Sequence, residues 1–149
     1  MKKTGFVAVL FFFLCICVNA QSSEKLAELI DSECASFGQV AYLVGVYSNQ
    51  IDENADYNIA IENFNKSEYI LRKVNVDDKV LLGDLSLIVA KVGNMKGGLF
   101  YSIFKNSRYA FKELKALGIL PEEADPSMLV SGRDVLAIFS SVVYENDGE

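Results

Sequence analysis

The chain has 149 residues, 51% of them apolar, a formal charge of -6 and neither His nor Trp. A length of this order accommodates one domain rather than two sizeable ones. Without histidine there is no Ser-His or Cys-His catalytic pair, no imidazole metal ligand and no imidazole proton shuttle, and the acidic balance argues against nucleic acid as a partner.

The first residues read Met1-Lys2-Lys3-Thr4, then an apolar run from Phe6 to Val18, then Val18-Asn19-Ala20 before Gln21. A positive start, an apolar middle and a small-residue cleavage site predict a Sec-type signal peptide over residues 1–20, cleaved after Ala20. Two other readings stand beside it. An uncleaved anchor would need a longer run, about 20 residues. A lipoprotein would be acylated at Cys15 or Cys17, although neither follows the small residue expected before a lipidated Cys. Cleavage removes Lys2, Lys3, Cys15 and Cys17, leaving a more acidic chain whose single thiol, Cys34, has no internal disulfide partner. The expected destination is the periplasm or cell envelope, and the expected domain, 21–144, must fold on its hydrophobic core.

Six helices are predicted in chain order. Glu24 to Ile30 offers Leu26, Leu29 and Ile30 on one face. A second helix spans about 37 to 48. There Val40, Tyr42, Val44 and Val46 also alternate as a strand would, but Ser36 followed by Gln39 has the spacing of a capping box and decides for helix. A third runs from Asp56 to Leu71 through Tyr57, Ala60, Ile61 and Phe64. A fourth, 83 to 92, repeats apolar residues at 81, 85, 88, 89 and 92 and keeps only the first-turn acid, Asp84, as a start signal. Asn94 to Gly98 reads as a hinge. A fifth helix over 107 to 117 carries Ala110, Phe111, Leu114 and Leu117 and stops at Gly118. After a loop bounded by Pro121 and Pro126, Ser131 and Asp134 open a sixth over 132 to 143, and 145–149 reads as a flexible acidic tail.

These helices are related to one another. A shift of 50 residues superposes Asp84 on Asp134, Leu85 on Val135 and Ile88 on Ile138, and a shift of 45 superposes Phe37-Gly38-Gln39-Val40 on Leu82-Gly83-Asp84-Leu85. The expected fold is therefore all-α, with about three helix-loop-helix repeats near 24–49, 56–95 and 99–144 packed into one small domain.

The third unit carries Tyr109-Ala110-Phe111, Leu114, Leu117-Gly118-Ile119-Leu120, Pro126 five residues before Ser131, and Asp134. In this it resembles an S-layer homology repeat, which reads aromatic-Ala, a helix ending Leu-x-x-x-Gly-Ile, and a Pro-bearing loop before a Thr-Arg-Ala-Glu helix start. The likeness covers about 30 residues well and about 85 loosely. It departs from the pattern where Gly132 takes the place of the Arg, with Arg133 one position late, where Tyr109 replaces the usual Trp, and where the loop is shortened. The resemblance implies a scaffold of the bacterial cell envelope. In the family, that Arg and the loop around it hold an anionic cell-wall glycan.

The remaining motifs favour plain readings. Asp52-Glu53-Asn54-Ala55-Asp56 has oxygen ligands at the first, third and fifth positions of a calcium loop, but Tyr57 and Asn63 stand where the turn Gly and the bidentate Glu belong, so it reads as a solvated acidic linker. Val76-Asp77-Asp78-Lys79 reads as a turn. Asn65-Lys66-Ser67 is a glycosylation acceptor only in a eukaryotic secretory pathway, whereas the short leader points to a bacterium. Cys34 reads as a small structural thiol. No catalytic residue, metal or cofactor is expected.

One segment stands apart. Between Lys96 and Lys115 lie Lys105, Arg108 and Lys112, opposed by Glu113 alone, among Leu99, Phe100, Tyr101, Ile103, Phe104, Tyr109 and Phe111. Such a stretch fits an anionic membrane surface, an apolar ligand or an acidic partner. The alternative is that its aromatics fill the core while its lysines face water. The candidate binding residues are Lys105, Arg108, Tyr109, Lys112, Arg133, Phe100 and Phe104. The expected function is non-enzymatic binding or scaffolding in the envelope, with a cell-wall glycan, an envelope protein or an anionic membrane surface as partner.

Overall fold

The computed structural model describes the backbone over residues 23–96 and 98–147, and the side chains of all these but 99, 100 and 145–147. The expected leader 1–20, its cleavage site, and Cys15 and Cys17 lie outside the described residues. Helix α1 (23–31) is followed by α2 (Phe37–Tyr47), α3 (Tyr57–Phe64), α4 (Leu82–Val92), α5 (Leu99–Phe104), α6 (Ser107–Ala116) and α7 (Gly132–Asp147). Among the described residues there is no strand, only two isolated bridges, Ser36 with Lys79 and Leu81 with Leu129. The chain is all-α, and no described helix is long and apolar enough to cross a membrane.

Local chemistry accounts for most of the helix starts. At Ser36 both capping-box bonds form: the Gln39 N–H donates to Ser36 Oγ at 3.3 Å and the Ser36 N–H to Gln39 Oε1 at 3.0 Å. Asp56 caps α3 by accepting from the Ile59 N–H at 2.8 Å, and Asn106 caps α6 by accepting from the Tyr109 N–H at 3.1 Å. Ser131 Oγ accepts from the Asp134 N–H at 3.2 Å and donates to its carboxylate at 2.7 Å. Helix α4 has no side-chain cap. Its first N–H groups are satisfied instead by a distant loop, Leu82 donating to the Met128 carbonyl and Gly83 to that of Pro126, both at 2.9 Å.

Three expectations of extent need correction. The third helix, expected to reach Leu71, stops at Phe64 because Asn65 exchanges hydrogen bonds with the Val74 backbone in both directions, at 2.9 and 3.0 Å, and Ser67 Oγ donates to the Phe64 carbonyl at 2.6 Å. Leu71, expected on its buried face, is 82% exposed. Helix α5 arises within the aromatic stretch, where no separate helix was expected. Helix α7 continues to Asp147, so the first part of the expected tail is helical, there being no Gly or Pro between Gly132 and Gly148.

The main core gathers Phe37, Phe64, Leu85, Ile88, Leu114, Val135 and Val142, all essentially inaccessible. Helix α2 packs on α3, α4 on α6 and α7, and α5 on α6. Pairing in space is thus displaced by one helix from the grouping 24–49, 56–95 and 99–144, since the short 48–56 connection returns α3 onto the helix before it. The heads of the three long helices meet the loops. Phe37 and Gly38 donate to the carbonyls of Asp78 (2.8 Å) and Val76 (2.9 Å), as Leu82 and Gly83 do to Met128 and Pro126, while Gly132 donates to Ser32 at 2.9 Å. At the centre, the Ala35 N–H reaches the Val130 carbonyl at 2.8 Å and the Val80 N–H that of Ala35 at 3.0 Å, all three residues being buried.

Candidate functional site

The basic aromatic stretch folds as an elbow. Helix α4 ends beside Asn94, a non-glycine residue at φ 48°, and α5 ends at Lys105, another at φ 38°. Between them, the Gly98 N–H donates to the Glu113 carboxylate at 2.7 Å, so the single acid of the stretch faces the start of α5. Asn106 then starts α6 at once. The six-residue α5 is too short to hold a helix by itself and is held where Tyr101 packs with Leu87, Ala90 and Ala110.

The aromatics divide between core and surface. Tyr101 is buried in a second apolar cluster with Leu87, Ala90 and Ala110, and Phe111 belongs to the main core. Ile103 is 63% and Phe104 54% exposed. The Phe104 ring stacks on Tyr109, with centroids 5.2 Å apart and planes 20° from parallel, and Lys112 Nζ lies 6.0 Å from the Tyr109 centroid. Phe100 lies on α5, and its side chain is outside the described residues.

The cations divide as well. Lys105, Arg108 and Lys112 are exposed. Lys115 is drawn to the following loop, where its ammonium bonds the carbonyls of Glu122 and Ala124 and lies 5.6 Å from the Phe111 ring centroid. Arg108, Lys112 and Lys115 line one side of a shallow groove of about 670 Å³ that reaches Pro126. Behind α5 a cleft of about 240 Å³ is lined by Glu68, Tyr69, Lys91, Asn94, Tyr101 and Lys105. There the Lys91 ammonium donates to the Glu68 backbone carbonyl. Burial lowers its pKa, Glu68 opposes that shift, and Lys105 adds to it. The Tyr101 phenol is pushed upward by burial alone.

Of the seven expected binding residues, Phe104, Lys105, Arg108, Tyr109 and Lys112 lie together on the α5–α6 elbow. Arg133 lies exposed on the first turn of α7 and lines neither cleft. A Cβ on the preceding residue, Gly132, would stand 1.5 Å from the Leu29 carbonyl oxygen, so no side chain fits at position 132. Sequence reasoning missed Lys91. Its signal was available, since Lys91 is the one charge in the apolar run from Leu85 to Val92.

The other motifs hold structural positions. The Asp52 carboxylate accepts from the Asn54 N–H and side-chain amide, both at 2.8 Å, which holds it below the usual carboxylate range. Tyr57, at the calcium-loop glycine position, donates to Glu28 at 2.9 Å. Cys34 is half-buried, and Lys79 donates to its carbonyl at 3.2 Å. Comparison of this chain with protein families, curated proteins and solved structures finds no match.

Proposed function

We propose that this chain is an exported, non-enzymatic binding or scaffold protein of the bacterial cell envelope, built from three related helical units of S-layer-homology-like design. The observation that carries the reading is the recurrence of one contact. Phe37 and Gly38 donate to Asp78 and Val76; Leu82 and Gly83 donate to Met128 and Pro126. The donors are 45 residues apart and the acceptors 50, the two shifts at which the sequence superposes on itself. On this reading Ala35, Val80 and Val130 are equivalent positions about a central axis, and α7 with α1 makes the third pair through Gly132 and Ser32.

The leader-like start supports export, and the lack of histidine leaves Cys34 and the hydroxyls without an imidazole base. Binding of an anionic wall polymer would fall to Arg133 and the elbow cations, in place of the Arg that position 132 excludes. The test is retention of the purified protein on isolated cell wall. Retention that weakens with salt and with Arg133→Gln supports wall binding, and passage unretained at low salt removes it. Export is tested by the N-terminus of protein recovered from the cell envelope, which should begin at Gln21.

A further inference from the structure

We propose that the α5–α6 elbow docks on an anionic lipid surface, with Ile103 and Phe104 entering the headgroup layer and Lys105, Arg108 and Lys112 lying against lipid phosphates. This goes beyond the envelope reading, because it requires neither the three-unit relation nor a wall polymer.

Three observations converge on it. First, α5 presents its two outward apolar residues together, Ile103 at 63% and Phe104 at 54% exposure, while Tyr101 is buried and anchors the helix from behind. Second, the Phe104 ring is held by its stack on Tyr109, so its outward position is pre-set and little side-chain freedom remains to be lost on insertion. Third, the cations beside these residues form no ion pair among the described residues. Arg108 and Lys112 are one helical turn apart on the exposed face of α6, Lys105 directly follows Phe104, and Glu113 is engaged by the Gly98 N–H. A patch of two apolar side chains is too small for a stable protein interface, which takes about 800 Å² from each partner. It is sufficient for an interfacial contact in which apolar residues enter the headgroup boundary and long cationic side chains reach the phosphates. The size of the patch therefore selects a bilayer over an acidic protein or a second copy, and charge complementarity selects an anionic one.

The absence of tryptophan makes the test direct. Phe104→Trp places one fluorophore at the proposed insertion point, and Tyr144→Trp places one on α7, where Tyr144 is 75% exposed. Added to the full chain, vesicles containing phosphatidylglycerol should move the Phe104→Trp emission to shorter wavelength. Pure phosphatidylcholine should not, salt should reverse the shift, and the Tyr144→Trp emission should stay in place. Because each probe reports its own surroundings, a leader that binds the vesicle leaves this comparison intact. Combining Lys105→Gln, Arg108→Gln and Lys112→Gln should weaken the vesicle titration on the order of 100-fold, at about fivefold per cation. These three side chains are exposed, so circular dichroism of that variant should match the parent. The proposal is overturned by an unmoved Phe104→Trp emission at low salt, by equal shifts at both probes, or by undiminished affinity in the charge variant. A salt-sensitive dimer with unchanged emission overturns it in favour of a second copy. Wall retention is measured separately, so either reading can fail without the other.

Discussion

Substitution of Gly132 by alanine probes the contact that joins the two ends of the described chain. The added Cβ would lie 1.5 Å from the Leu29 oxygen and 2.5 Å from its carbonyl carbon, both backbone atoms of α1. Real Cβ atoms do not approach closer than 3.0 Å, so α1 and α7 would have to separate by about 1.5 Å. That displacement breaks the 2.9 Å bond from the Gly132 N–H to the Ser32 carbonyl, worth about 0.5–1.5 kcal/mol. It also loosens packing at a cost of about 1–3 kcal/mol. Alanine returns up to about 1 kcal/mol of helix propensity. The expected net loss is about 0.5–4.5 kcal/mol and centres near 2 kcal/mol, which is roughly 4–8 °C in Tm for a chain of this size. Gly83→Ala is the comparison, since its Cβ would stand 3.1 Å from Pro126 Cβ and 3.2 Å from the Pro126 oxygen, so a shift of a few tenths of an ångström suffices and the cost stays below about 1 kcal/mol. Thermal unfolding followed by far-ultraviolet circular dichroism measures both. A Gly132→Ala protein within about 0.5 kcal/mol of its parent would refute the seating of α1 on α7.

Leu85→Ala, at a fully buried core position, should cost about 2–5 kcal/mol in urea denaturation without changing the slope of the transition. Ser36→Ala removes the hydroxyl that accepts from the Gln39 N–H, leaves the bond from the residue 36 N–H to Gln39 Oε1, and should cost about 1 kcal/mol by the same measurement. In acid, the hydroxyl and then the N–H of Ser127 hold the Asp125 carboxylate below the usual range. Its folded pKa is depressed, so its contribution is present above the unfolded pKa and lost as pH falls through the folded one; Ser127→Ala should raise the Asp125 midpoint in an NMR titration. In alkali, burial and then the bond to Glu28 hold the Tyr57 phenol well above the ordinary tyrosine range. That contribution is present below the unfolded pKa and lost as pH rises through the folded one, and among the tyrosines that ionise late, Tyr42, Tyr57 and Tyr101, ultraviolet titration should find one that Glu28→Gln brings down.

The elbow separates what was legible in the sequence from what was not. Its cations and aromatics were visible as composition, and Phe104, Lys105, Arg108, Tyr109 and Lys112 do lie together. Yet Tyr101 faces inward and Ile103 outward although only one residue separates them. That division depends on the orientation of α5, held by the seat of Tyr101 against Leu87, Ala90 and Ala110. Lys91 and Tyr69 reach the adjoining cleft from α4 and from the loop after α3, which no local motif announces. The early end of α3 has the same origin, because Asn65 finds its partner nine residues away at Val74.

By itself the sequence determined the all-α class, the starts of α2, α3, α6 and α7, and the stop at Gly118, which takes φ +73°. These depend on residues within one turn of each other, where side-chain oxygens meet unpaired N–H groups and apolar spacing defines a face. Only the tertiary structure decided where α3 stops, which aromatics become surface, why position 132 is glycine and how Ala35, Val80 and Val130 meet. Each of those outcomes depends on backbone groups or side chains distant in sequence, and a local pattern carries no information about the distance at which they will pack.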